Sequence, residues 1–291
     1  MGRAQPSLPA SARKALLDWY RPRARAYPWR RGRLNAYRTL VSELMLQQTQ
    51  AARVVPIFDA FVRGFPTVRA LALASRADVL RAWAGLGYNR RAVSLHRAAE
   101  AVVAQHGGRV PTAVAELQRL PGVGPYTAAA VASIAGGAPV AAIDVNVRRI
   151  VARVAYGRDA ASVSTGDMDA TAARWVDRRD PGAWNQALMD LGREHCRAVP
   201  RCEACPLARA CRFVRSGRAP VPAARRQSRF EGSLRQVRGG VVDVLRTRPS
   251  AGVAGLAQRT GFGADRITEA LGGLERDGVV ERSGRSYRLP D

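Results

Sequence analysis

Four cysteines, Cys196, Cys202, Cys205 and Cys211, fall within sixteen residues of a 291-residue chain and occur nowhere else in it. So tight a group reads as one set of metal ligands in a reducing compartment, because a disulfide framework would spread its cysteines over a secreted fold. Five, two and five residues separate them. Zinc sites usually pair two short Cys-x-x-Cys hooks, whereas one central pair, Cys202 and Cys205, flanked by single distant cysteines suits a cubane [4Fe–4S] cluster. Structural zinc is the alternative.

Two carboxylates stand out by their surroundings. In Val41-Ser-Glu-Leu-Met-Leu-Gln-Gln-Thr-Gln50, Glu43 is the only charge in an apolar, amide-rich helix. Held against apolar surface, its carboxyl would have a raised pKa and donate a proton at neutral pH; on a solvated stripe with Thr39, Gln47 and Gln50 it would do nothing. In Ala141-Ala-Ile-Asp-Val-Asn-Val-Arg-Arg-Ile150, Asp144 stands at a helix start. It is either an N-cap alone or a charge facing a developing cation on a sugar. One carboxyl kept protonated and one ionised are the apparatus of glycosidic cleavage, N- as well as O-linked.

Between them lies Leu120-Pro-Gly-Val-Gly-Pro-Tyr-Thr-Ala-Ala-Ala130, a short helix joined to a longer one through Gly122 and Gly124. Such a turn is either a plain helix connection or a hairpin whose second helix aims its free amides at a DNA phosphate.

The elements that must position these groups are helical. Apolar residues recur at three and four over most of the chain, as in Val79–Ala84, Ala92–Gln105, Tyr126–Ala135, Val145–Ala155, Thr165–Asp177 and Ala183–Gly192. This predicts a body of ten or so short helices over 1–215. A Pro-, Gly- and Arg-rich stretch, 216–232, reads as a linker. Leu234–Leu245, Val253–Gln258 and Ala264–Leu274 then suggest three helices, and 278–289 two short strands about a Ser-Gly turn, the order of a small winged-helix-like domain over 233–291.

The charge fits a nucleic-acid partner: 47 basic against 23 acidic residues give +24. Residues 231–291 hold ten arginines against eight acids, so +22 belongs to residues 1–230. With 47% hydrophobic content, disorder over the whole length is excluded. No apolar run reaches the length of a membrane span and Met1–Ala12 lacks the apolar core of a secretory signal, so the expectation is a cytoplasmic protein with no membrane partner. His96, His106 and His195 share no ligand spacing and read as packing or surface residues, with His195 at most bordering the cysteines.

Glu43–Gln50, Ala-Gly-Leu-Gly-Tyr (84–88) with Asn-Arg-Arg-Ala-Val-Ser-Leu-His (89–96), Leu120–Ala128, Asp144–Arg149, Trp-Asn-Gln-Ala-Leu-Met-Asp-Leu-Gly (184–192) and the four cysteines, in that order, resemble the MutY adenine DNA glycosylases of the endonuclease III superfamily. The resemblance covers residues 13 to about 215. It implies a mainly α, two-lobed helix-hairpin-helix glycosylase with a [4Fe–4S] loop. Its activity would be base excision of adenine mispaired with 8-oxoguanine or guanine in double-stranded DNA, from a nucleotide flipped into a pocket between the lobes. It further implies a bacterial, nucleoid-associated monomer.

By the same resemblance Glu43 would protonate the adenine and activate water, and Asp144 would stabilise the sugar cation, with Tyr126 and Asn146 supporting the carboxylates. Trp29, Arg30, Leu46 and Gln186 would line the adenine pocket. Gln48, Thr49, Leu86 and Tyr88 would probe or wedge beside the opposite base, and Gly122 and Gly124 would clamp a phosphate. Tyr126 stands where bifunctional relatives carry a Schiff-base lysine, and the chain's one lysine, Lys14, is over a hundred residues away, so a monofunctional enzyme is implied. Three departures accompany the resemblance. The first cysteine gap is five where six is usual, Val145 follows the aspartate where Gly or Thr is common, and the long C-terminal domain by which many members read 8-oxoguanine is replaced by the winged-helix-like module. That module would either hold duplex DNA through 264–274 and a wing bearing Arg282, Arg285 and Arg288, or dock a protein partner. The rival functions are a same-fold glycosylase for another base (T:G, hypoxanthine or a damaged pyrimidine) and an iron-sulfur DNA-binding regulator.

Overall fold

The computed structural model describes residues 6–31, 35–220 and 229–291; residues 221–228 of the expected linker lie outside them. The chain is mainly helical. Its α-helices are α1 (Ala10–Tyr20), α2 (Ala36–Leu46), α3 (Ala51–Gly64), α4 (Val68–Leu73), α5 (Arg76–Ala82), α6 (Arg90–His106), α7 (Val114–Leu117), α8 (Pro125–Gly136), α9 (Val145–Tyr156), α10 (Thr165–Trp175), α11 (Pro181–Glu194), α12 (Arg212–Arg215), α13 (Leu234–Thr247), α14 (Val253–Thr260) and α15 (Ala264–Arg276). Two strands follow, β1 (Glu281–Ser283) and β2 (Ser286–Arg288). They pair antiparallel with Arg282 opposite Tyr287, and Ala251 adds a bridge to Tyr287. Among the described residues no helix is long and apolar enough to cross a membrane.

Local chemistry sets many helix starts. Thr67, Ser75, Asp144, Ser164 and Asp180 each accept a hydrogen bond from an amide of the helix they precede. The chain divides into two compact units. One comprises 1–39, 112–119 and 123–225; the other 40–111, 120–122 and 226–291.

In the first unit α9, α10 and α11 pack with α1 around buried Leu16, Ile150, Val151, Trp175, Trp184 and Leu188. Burying a large aliphatic or aromatic side chain contributes roughly 1.5–3 kcal/mol, so this centre fixes α9, which Asp144 precedes, and α11, which carries Gln186 and leads to the first cysteine. In the second unit α4 and α5 pack on α6, and Phe61 lies edge-on to the fully buried Trp83, 5.9 Å between ring centres. Helices α13, α14 and α15 pack on one another, and α13 also meets α5. The C-terminal residues thus share a unit with α3–α6.

Candidate active site

Glu43 lies on α2 in the second unit, 6% exposed, between Ser42, Leu44 and Met45, which are also buried. Thr39 is buried too, so the stripe expected to be solvated is buried at Thr39 and Glu43, half-buried at Gln47 and exposed at Gln50. Leu46 and Gln47 are half-buried at the end of the helix.

Beyond that end the backbone turns through Gln48 with φ +56°, and Tyr88 has φ +46°; these are the only non-glycine residues with positive φ among those described. Each such left-handed residue costs roughly 1–2 kcal/mol, which surrounding structure has to offset. One buried side chain meets both turns. The Arg91 guanidinium donates from Nη1 to the carbonyls of Leu44 (2.9 Å), Met45 (2.8 Å) and Gln47, and from Nη2 to Thr49 Oγ1 (3.0 Å) and the carbonyls of Leu86 (3.2 Å) and Gly87 (3.1 Å). It also lies over the rings of Trp83 and Tyr88, 5.6 and 5.4 Å from their centres. Three residues expected beside the opposite base, Thr49, Leu86 and Tyr88, thereby meet one cation, which also holds the carbonyl of Gln47 next to Gln48; Leu86 is buried and Tyr88 40% exposed. Arg91 was not singled out from sequence. Its signal is register: it shares a helix face with Leu95, Ala98 and Val102, all buried, so an arginine there needs internal acceptors.

The hairpin glycines differ in what they require. Gly122 has φ +75°, and a Cβ there would stand 2.4 Å from Ser94 Cβ on α6. Gly124 is the exposed N-cap of α8, followed by Pro125 at the first helical position. Gly122→Ala is expected to lower unfolding free energy by about 2–3 kcal/mol, from the strained φ together with the clash. A shift of the urea midpoint with unchanged m-value would register it, and a midpoint equal to the parent's would contradict it.

In the first unit Asp144 caps α9. Its Oδ1 accepts from the amides of Asn146 (2.9 Å) and Val147 (2.7 Å), and its Oδ2 from Asn146 Nδ2 (2.7 Å). Asn146 Oδ1 accepts from Arg149 Nη2 (2.7 Å), and Arg149 Nε donates to the carbonyl of Cys196 (2.6 Å). A continuous hydrogen-bond chain therefore runs from the first cysteine to the aspartate. Gly192 makes room for it, since a Cβ there would lie 2.6 Å from Asn146 Cβ. Tyr126, on α8, donates from its hydroxyl to Met189 Sδ (3.5 Å).

Trp29 is buried and stacks on Tyr27, ring centres 4.7 Å apart. Gln186 is buried on α11, its Oε1 accepting from Tyr20 Oη (2.6 Å). Burial pushes the Tyr20 phenol pKa up, which keeps that donor protonated. Arg30 makes a two-pronged ion pair with buried Asp190 (2.9 and 3.2 Å), and Asp190 also meets Arg193. Arg30 is thus occupied as a tether of the 28–30 turn to α11, a role that spacing alone could not reveal.

The four cysteines form no disulfide with one another and line one cavity with Ile150, Leu191, His195 and Phe213. Burial raises the thiol pKa values of Cys196, Cys205 and Cys211, that of Cys205 to about 12. Buried Arg153 braces the loop: it pairs with Asp159 (2.8 Å), donates to the carbonyls of Arg197 (2.5 Å) and Ala198 (3.0 Å), and approaches Cys196 Sγ at 3.9 Å. Among the described residues no three His, Cys, Asp or Glu side chains converge as ligands of a single ion would. His195 packs edge-on to Trp19, and His96 is buried with Nε2 3.0 Å from the Ala74 carbonyl, so both serve packing.

Comparison with known proteins matches residues 41–175 to the HhH-GPD superfamily of base excision DNA repair proteins. The adenine DNA glycosylase of Mycolicibacterium smegmatis is 44% identical over 278 residues, 92% of each chain, so part of the C-terminal module lies inside the match. That of Homo sapiens is 42% identical over 204 residues, 66% of this chain and 37% of the human one. Of solved structures, a thermostable thymine-DNA glycosylase is similar with TM-score 0.65 and 28% identity, over 70% of this chain and 97% of that one. An endonuclease III in a non-covalent DNA complex is similar in fold, with TM-score 0.59 and 23% identity, over 70% of this chain and 94% of that one.

Proposed function

The chain belongs to the adenine DNA glycosylase family within the HhH-GPD superfamily of base excision DNA repair proteins, and from that premise we propose that it hydrolyses the N-glycosidic bond of adenine mispaired with 8-oxoguanine or guanine. The observation that carries this reading is Glu43, a carboxyl buried on the apolar face of α2. Adenine is a poor leaving group until a ring nitrogen is protonated. Glu43 gives that proton, the bond between the sugar C1′ and the base breaks, and the base departs with the bonding electrons. Asp144, held by three donors, faces the cation left on the sugar. Glu43 then takes a proton from the water that adds to C1′, leaving an abasic site and free adenine.

Trp29, Leu46 and Gln186 contact the flipped base, and Arg30 acts through Asp190 to hold that wall. Gln48, Thr49, Leu86 and Tyr88 enter the stack beside the opposite base, Tyr88 as a ring with a polar end. Gly122 and Gly124 bring the start of α8 to a phosphate, in a chain whose +22 over residues 1–230 favours that contact. The protein acts on DNA in the bacterial cytoplasm, as a monomer.

The all-thiol donor set around one cavity, with the central pair Cys202 and Cys205 flanked by the single cysteines Cys196 and Cys211, fits a [4Fe–4S] cluster held by these four residues better than a lone zinc ion. When bound, the cluster supplies cross-links that fix the 196–211 loop, and no proton or electron of the hydrolysis passes through it. The chain's own residues, Arg149 and Arg153, attach that loop to α9.

A second reading, excision of thymine opposite guanine, draws on the likeness to the thymine-DNA glycosylase. Chromatography of the released base separates the two. Free adenine from an A:8-oxoguanine duplex is expected in amounts equal to the alkali-labile sites. No strand break should precede alkali, and no borohydride-trapped adduct should form, because Tyr126 stands at the hairpin position and the chain's one lysine, Lys14, is on the exposed face of α1. Thymine released from T:G with adenine retained would replace this reading by the second.

A further inference from the structure

Three consecutive residues, Tyr88, Asn89 and Arg90, are each held by the C-terminal module. Arg246 on α13 is nearly buried, its side chain 10% exposed, and donates from Nη2 to Asn89 Oδ1 (2.9 Å) and from Nε to the carbonyl of Leu80 (3.0 Å). Asn89 precedes α6, where an asparagine ordinarily caps its own helix; here its side chain makes no cap, and its oxygen serves Arg246 instead. Arg235, the second residue of α13, lies 3.5 Å from Tyr88 Oη, and Asp277 after α15 pairs with Arg90 (3.9 Å) and with Arg238. Pro290 adds a further tie, its carbonyl accepting from the amide of Ala77 (2.8 Å). Tyr88 itself sits in the left-handed region, a conformation that persists only where neighbours impose it.

We propose that the C-terminal module is a positioning element for the Tyr88 wedge in mismatch recognition, with Arg246 as the positioning residue that acts through Asn89. This rests on the reading of Tyr88 as the residue that enters beside the opposite base. The module contributes to discrimination by fixing the geometry of the probe. Its near-neutral charge is consistent with a role that needs no phosphate contact of its own.

The test uses the full chain and the affinity ratio between a duplex with a non-cleavable adenine analogue opposite 8-oxoguanine and the matched A:T duplex. Arg246→Met is expected to lower that ratio about tenfold, Arg246→Lys to restore most of it, and neither to change the salt slope of binding. In a Tyr88→Ala background Arg246→Met should cause no further loss, since both changes act on the same wedge. Asn89→Ala, which removes only the acceptor, gives the same reading should Arg246→Met prove unstable. An unchanged ratio in folded Arg246→Met or Asn89→Ala, or an undiminished further loss in the Tyr88→Ala background, overturns the proposal. Failure of the parent chain to release adenine would instead overturn the functional reading, so the two failures are distinguishable.

Discussion

Glu43→Gln is expected to reduce single-turnover adenine release by about 10³-fold or more while leaving duplex affinity within a few-fold. Glutamine matches glutamate in volume and its amide can serve the same neighbours, so α2 should pack as before and the melting temperature should change by no more than a few degrees. What it lacks is a transferable proton. Glu43 is the only carboxyl on α2 and is buried at 6% exposure among Ser42, Leu44 and Met45, so no other acid of that helix can replace it. Excision by Glu43→Gln within tenfold of the parent would show that the departing adenine gets its proton elsewhere.

Asp144 admits a cleaner separation of structure from chemistry. Asparagine is as good an N-cap as aspartate, so Asp144→Asn should keep α9 and unfold within about 0.5 kcal/mol of the parent, whereas Asp144→Ala should lose about 1 kcal/mol of stability. Both should lose excision by a similar factor, about 10³-fold, because neither presents a negative charge to the sugar cation. If Asp144→Asn retained activity while Asp144→Ala lost it, the residue would be a cap alone. The hydrogen bonds from Asn146 and from the amides of Asn146 and Val147 serve both roles, which is why the sequence left the two readings open.

The helices were legible because their apolar residues repeat at three and four and their starts carry Ser, Thr or Asp. The expected segments Val145–Ala155 and Ala264–Leu274 fall inside α9 and α15. Cys196, Cys202, Cys205 and Cys211 were legible as one group because ligands on a short loop must be close in sequence, and they line one cavity. Arg91, Arg149 and Arg153 were not. In a chain with 47 basic residues an arginine looks like surface charge, and only burial against carbonyl groups from distant segments distinguishes these three. Arg30 illustrates the opposite limit. The motif singled out the residue, but its tie to Asp190, 160 positions away, depends on the packing of the 28–30 turn and not on spacing. The order of three helices and two strands in the last sixty residues was readable from periodicity, while their attachment to residues 77–90 rests on Arg246, Arg235 and Pro290, whose partners no local pattern names.

The measurement that bears most directly on the central claim is single-turnover cleavage of otherwise identical duplexes carrying adenine opposite 8-oxoguanine, guanine, cytosine or thymine, and thymine opposite guanine. An alkaline step reveals abasic sites, and Glu43→Gln is the control. The account predicts cutting of the adenine strand opposite 8-oxoguanine and guanine, little opposite thymine, and none with the variant. Cutting of the T:G duplex with adenine left intact, or adenine release that survives Glu43→Gln, would contradict it.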